Sequence, residues 1–120
     1  MNLIDVKHER GVAIVVPSGK RLDAAVAPAF KQAVVAVIEA GDRRLVLDLG
    51  RVEFLDSSGL GAMVSILKAM GGRGALAVCS ARGAVLSLFQ LTRMDRVFLI
   101  LPSRDEAVAR IAADAGSGTP

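Results

Sequence analysis

The residues best placed to do chemistry are Asp56, Ser57 and Ser58. With Gly59 they separate two apolar runs in the stretch FLDSSGLGAM, residues 54–63. An acid and two hydroxyls ahead of a helix-like pattern admit two readings. One is structural: a side-chain oxygen of Asp56 or Ser57 accepts a backbone N–H at the helix start, stabilising it by about 1 kcal/mol. The other is covalent: a serine at this place accepts a phosphate, because the positive end of the helix dipole and the unpaired N–H groups tolerate an added anion. One cap needs one side chain, and three are supplied. A phosphate would bring about −1.5 to −2 charges to the surface without unfolding the helix. If a partner docks there, docking is what the charge would abolish.

Other routes to chemistry fail on residue type or spacing. His8 is the only histidine and lies in an alternating, strand-like segment, where a half-exposed surface residue is expected. The serine elbow of α/β hydrolases needs a glycine two residues before the nucleophile, and Leu55 stands there before Ser57. No cysteines, histidines or carboxylates converge at metal-ligand spacing. Gly71-Gly72-Arg73-Gly74 leads from a helical pattern into a strand, whereas phosphate loops lead from strand into helix. It is a turn. Neither independent catalysis nor a cofactor or metal is expected.

The 120 residues are 52% hydrophobic but only 3% aromatic, without Trp or Tyr. One core of Val, Leu, Ile and Ala follows, of the kind that fills a buried sheet flanked by helices. Fifteen Lys and Arg against twelve Asp and Glu leave a net charge of +3. That excess is scattered and lacks aromatics to stack bases, so nucleic acid is not an expected partner. The single cysteine, Cys79, sits in the apolar run ALAVC and reads as a buried thiol in a reducing compartment. The N-terminal residues lack the pattern of a signal peptide, and no apolar run approaches the ~18 residues that span a bilayer. A cytoplasmic soluble domain without membrane contact is expected.

The elements that must position the motif can be read from periodicity. NLIDVKHE and VAIVV flank Arg10-Gly11 and predict a hairpin. Val26, Phe30, Ala33, Val34, Val37 and Ile38 predict a helix over 24–40, with Asp23 as its candidate cap and Pro28 in its first turn. RRLVLDLG and residues 74–79 are short apolar runs, as in strands covered on both faces. Between them Leu60, Met63, Val64 and Leu67 mark the inner side of a second helix. Helices over 81–91 and from Pro102-Ser103, the latter with Ala107, Val108, Ile111 and Ala112 inward, bracket a last strand at 97–101. The order β-β-α-β-α-β-α-β-α predicts a single α/β domain, a mainly parallel mixed sheet of about five strands with about four helices. In a parallel sheet, strand ends and following helix starts share one edge, where sites concentrate. Asp56–Gly59 falls on it. Ala62, Ile66 and Ala69 fall on the other side of the second helix, where they would form an exposed apolar docking strip or pack under a neighbouring helix.

VLDLGRVEFLDSSGLGAMVSILK, residues 46–68, resembles the central segment of the bacterial anti-sigma factor antagonists, members of the STAS domain family. The likeness runs over residues 3–112. Gly19 through Asp23, followed by Ala27-Pro28, resembles the family's G-x-L-D segment with one residue more. ALAVCSARGAVLSLFQLTRMDRVFLI resembles its fourth strand, third helix and final strand, with Arg82-Gly83 where many relatives open the third helix with proline. A STAS domain over 1–112 is expected, with 113–120 as a disordered tail.

The resemblance implies a partner switch. The unmodified antagonist would bind an anti-sigma factor that is also a serine kinase with a histidine-kinase-like ATPase fold, freeing the sigma factor. Phosphorylation of Ser57 would release the kinase, and a PP2C-type phosphatase would restore the active form. Asp56 would position the hydroxyl, and Ser58 is the rival acceptor or an alternative cap. Gly59 would allow close approach of the partner. Asp23, Asp56, Ser58, Gly59, Leu60, Ala62 and Ile66 would make the docking surface of a chain that is monomeric on its own. The alternative is a constitutive STAS interaction subunit of a lipid-transport or other regulatory complex.

Overall fold

Two consecutive left-handed residues, Arg10 (φ 54°) and Gly11 (φ 77°), turn the chain back on itself at its start. Such a turn matches the twist of a tight hairpin. It joins β1 (Ile4–Glu9) to β2 (Val12–Pro17), paired antiparallel with Glu9 opposite Val12. The computed structural model describes residues 2–117. After the hairpin come β3 (Arg21–Leu22), α1 (Ala27–Glu39), β4 (Arg44–Asp48), β5 (Phe54–Leu55) and α2 (Ser57–Met70). The chain ends with β6 (Ala75–Cys79), α3 (Gly83–Leu91), β7 (Leu99–Leu101) and α4 (Arg104–Ser117).

The main sheet has the order β1-β2-β4-β6-β7, and every pair but β1–β2 is parallel. This is the expected mixed sheet with four helices. Alternation along its strands divides the core in two. Val12, Ile14, Val16, Val46, Ala77 and Cys79 face α4 through Ala107, Val108 and Ile111. Ala13, Val15, Leu45, Leu47 and Val78 face the other way, into a larger core with Phe30, Val34, Met63, Ile66 and Phe89. Phe89 meets Phe98 edge-to-face at 5.9 Å, a geometry that adds about 0.5–1.5 kcal/mol beyond burial.

Several boundaries differ from those read in the sequence. Alpha helix α1 begins at Ala27, capped by Val26 without a side-chain bond, because Asp23 spends its carboxylate on a turn at residues 23–26. Helix α3 begins at Gly83, whose φ of +57° is closed to proline and strained for any other side chain. Arg82 Nη2 ties that start to the carbonyl of Gly50 at 3.0 Å. The last strand starts at Leu99 because Val97 and Phe98 turn back to bond Met94 O. Helix α4 runs to Ser117, so residues 113–117 of the expected tail are helical, and 118–120 lie outside the described residues.

The strands β3 and β5 were not legible in the sequence at all. Each is two residues long, and they pair only with each other, in a separate parallel ladder. They place Leu22 against α2. A Cβ built on Gly59 would overlap the Leu22 carbonyl oxygen and come within 2.6 Å of Leu55 Cδ1. Gly61, one turn-fraction further along the same helix, has nothing within 4 Å.

Among the described residues Asp48 is the one buried charged side chain. Its Oδ2 accepts from Arg104 Nε at 2.7 Å and its Oδ1 from Gly50 N at 2.9 Å. The pair fastens the first turn of α4 to the end of the central strand. It also offsets the repulsion between an arginine and a helix N-terminus. Beside it, Cys79 is fully buried, and burial pushes its thiol up to about 11.

Two outcomes follow. Gly59→Ala should lower stability by about 1–3 kcal/mol despite the better helix propensity of alanine, whereas Gly61→Ala should raise it by up to about 1 kcal/mol. Denaturant melts of both variants check this, and equal shifts would contradict the tight packing at Gly59. Cys79 should resist iodoacetamide at pH 8 until the protein unfolds. Its raised pKa also sets a sign: the unfolded thiol ionises near 9.0 and the folded one near 11. Its contribution is therefore intact below pH 9 and lost as pH rises through that interval, a loss that Cys79→Ala removes.

Candidate functional site

The ladder between β3 and β5 sets the geometry of the predicted motif. Arg21 lies opposite Phe54 and Leu22 opposite Leu55. Lys20 O accepts from Glu53 N at 2.7 Å and Phe54 N at 3.1 Å, and Leu22 O accepts from Asp56 N at 3.4 Å. Leu22 and Leu55 are buried, while Arg21 and Phe54 face solvent. One residue beyond each strand stand Asp23 and Asp56. The two acids predicted for the site are thus brought to the same edge by backbone pairing.

Asp56 settles the capping question. Its backbone is extended (φ −113°, ψ −174°), its Oδ1 accepts from Gly59 N at 3.0 Å, and its carbonyl accepts from Leu60 N at 3.0 Å. With the cap made by Asp56, neither serine is needed for it. Ser57 and Ser58 are both exposed in the first turn, and among the described residues neither hydroxyl has a hydrogen-bond partner. Their N–H groups belong to the unpaired set at every helix start. Ser58 is therefore not the cap, as one expectation had it.

Asp23 is held from both sides. Arg21 Nε donates to Oδ2 at 3.1 Å and Ala25 N donates to Oδ1 at 3.1 Å. The hydrogen bond from Arg21, more than any other contact, holds this carboxyl below its ordinary range. The same guanidinium lies 4.2 Å from the centre of the Phe54 ring. Such a stack contributes about 0.5–1 kcal/mol at an exposed position. Sequence reasoning missed both Arg21 and Phe54. Neither carried a sequence signal, because the ladder that brings them together joins distant segments.

Four expected docking residues, Gly59, Leu60, Ala62 and Ile66, do not belong to an accessible surface. Ile66 is 0% exposed, and Ala62 and Leu60 are each 7% exposed. The reason is α1, which packs beside α2 on the same face of the sheet. Helix α2 is thereby covered from two directions, and Val64 and Leu67, expected inward, are only half-buried. Gly59 is also buried, and the backbone it admits is that of Leu22 in its own chain. What remains exposed or half-exposed at the edge is Asp23, Asp56, Ser57 and Ser58, joined by Arg21 and Phe54.

Elsewhere the described residues hold no group of three or more His, Cys, Asp or Glu able to bind a metal ion. No described helix is long and apolar enough to cross a membrane. His8 is a surface residue whose Nε2 lies 3.1 Å from both Asp42 oxygens.

The comparisons with known proteins agree with this architecture. The anti-sigma F factor antagonist of Paenibacillus polymyxa is 34% identical over 111 residues, covering 90% of this chain and 92% of that protein. BtrV of Bordetella bronchiseptica is 32% identical over 75 residues, which are 62% of this chain and 65% of that protein. The crystal structure of an anti-sigma factor antagonist from Mycobacterium paratuberculosis superposes with a TM-score of 0.82 at 34% identity, covering 90% of this chain and 92% of that one. A sequence model of the STAS domain matches residues 4–107, and with these relatives and this fold the chain belongs to the STAS domain family.

Proposed function

We propose that this chain is an anti-sigma factor antagonist operated by partner switching, with Ser57 as its phosphate acceptor. The observation that carries the proposal is the division of labour at the start of α2: Asp56 makes the cap, which leaves the Ser57 hydroxyl exposed and uncommitted. The similarity to proteins named anti-sigma factor antagonists supports the same reading.

In the unmodified state the edge formed by Asp23, Asp56, Ser57 and Ser58 binds a serine-kinase anti-sigma factor, and the sigma factor is freed. The kinase then transfers the γ-phosphoryl group of ATP to Ser57 Oγ. The bond to the β-phosphate oxygen breaks, ADP departs, and the hydroxyl proton passes to a base of the kinase. Asp56, fixed by its bond to Gly59 N, orients the acceptor. The phosphate rests among the unpaired N–H groups of the first turn, so the fold survives while the surface gains about −1.5 to −2 charges beside Asp23 and Asp56. Like-charge juxtaposition at an interface costs several kcal/mol, and the complex separates. A PP2C-type phosphatase resets the cycle by hydrolysing the ester with water. The chain itself contributes a docking edge and a hydroxyl and performs no catalysis.

The test uses the histidine-kinase-like anti-sigma factors encoded in the same genome. Incubation with ATP and mass spectrometry should place one phosphate on Ser57, and none on Ser57→Ala. Ser57→Ala should bind the kinase as the native chain does, and Ser57→Asp at least about tenfold more weakly. A phosphate on Ser58 alone, or equal affinities for the two variants, would refute the assignment.

A further inference from the structure

The cations around this edge are nearly all spent. Lys20 lies 3.8 Å from Glu53, Arg51 lies 3.1 Å from Asp5, and Arg82 donates to Gly50 O. Arg21 is different. Its one hydrogen bond among the described residues is made by Nε, to Asp23, which leaves both Nη groups without a partner there. The side chain is 61% exposed, yet it is held by the Asp23 bond and by the Phe54 ring, 4.2 Å from its Cζ. An exposed arginine ordinarily loses much rotamer freedom when it grips a ligand. This one is already oriented, and it presents the two-pronged edge that matches a carboxylate.

We infer that Arg21, held over Phe54, is a partner-selecting docking residue that receives a carboxylate from the kinase bound at the Ser57 edge. The inference rests on the function proposed above for the identity of the partner, and adds which chemistry the partner must offer. Arg21 and Phe54 are cross-strand neighbours on the ladder that carries Asp56, so a protein covering Ser57 meets them too. Charge complementarity favours an acidic group over an apolar one, because desolvating the free Nη groups without a partner is costly. An acidic partner surface here also explains why charge on Ser57 releases it: the new phosphate repels the carboxylate that Arg21 had attracted.

The kinase is titrated against the native chain, Arg21→Gln, Arg21→Lys, Asp23→Asn, the double variant Arg21→Gln with Asp23→Asn, and Ser57→Asp. Thermal melts confirm that each is folded. Arg21→Gln should weaken binding about tenfold and flatten its salt dependence. Arg21→Lys keeps the charge but loses the fork and the stack, and should recover only part of the affinity. The Arg21→Gln loss should persist in the Asp23→Asn background, since contact with the partner is not made through Asp23. Native affinity in Arg21→Gln, full recovery in Arg21→Lys, or no further loss in the double variant would each overturn the inference. So would a phosphoserine titration in the phosphorylated protein that moves when Arg21 is replaced, since the guanidinium would then be holding the chain's own phosphate. Ser57→Asp separates the two claims: native affinity there removes the switch at Ser57 and leaves the Arg21 result to stand or fall by itself.

Discussion

The arrangement of the site depends on one close contact, the seating of the Leu22 carbonyl against the Cα of Gly59. Any side chain at residue 59 would push the start of α2 away from β3. The ladder of β3 with β5 would then open, and with it the alignment that sets Asp23 beside Asp56. The contact matters because the ladder is too short to hold itself. Two strands of two residues are far below what is stable alone in water. They persist because Leu22 and Leu55 are buried in the larger core, between α2 and the helices around it.

Around that contact the molecule separates what must be rigid from what must be accessible. The sheet is covered on one face by α4 and on the other by α1, α2 and α3, with two apolar cores meeting along its strands. The ion pair between buried Asp48 and half-buried Arg104 anchors α4 at the end of the central strand. The chemistry-bearing groups stand outside this frame, just beyond strands whose last residues, Leu22 and Leu55, are buried. A charge added to Ser57 therefore meets no core side chain. It would act on the surface alone and leave the packing of the fold as it was.

The acids at this edge are set by short-range bonds rather than by burial. Asp56 is committed to Gly59 N, and Asp23 to Arg21 and Ala25 N. Each carboxylate thus has a fixed orientation although each is in contact with water. For a surface that a partner must recognise, orientation of this kind lowers the entropy lost on docking. Phe54 serves the same end by giving the Arg21 guanidinium a flat seat.

Much of this was readable in order along the chain. The hairpin turn at Arg10-Gly11, the apolar strands Arg44–Asp48 and Ala75–Cys79, the four helices and the motif at the start of α2 are local patterns. Residue type and period carry them, and so does the likeness of residues 46–68 to a known family. The apolar run ALAVC even assigned Cys79 to the interior. Three matters lay outside that reach. Ala62 and Ile66 could be read as an exposed strip or as packed under a neighbouring helix, and only packing by α1 decided for the second. Asp23 looked like a helix cap because caps and turns use the same residues, and only the bond from Arg21 and the delayed start at Ala27 decide between them. The β3–β5 ladder joins residues 21–22 to 54–55, and pairing at that separation leaves no trace in either short segment. Periodicity and residue chemistry therefore determined the elements and placed two serines at the start of α2. Which face of α2 is covered and which arginine lies over Phe54 were decided by contacts between distant segments, which no local pattern encodes.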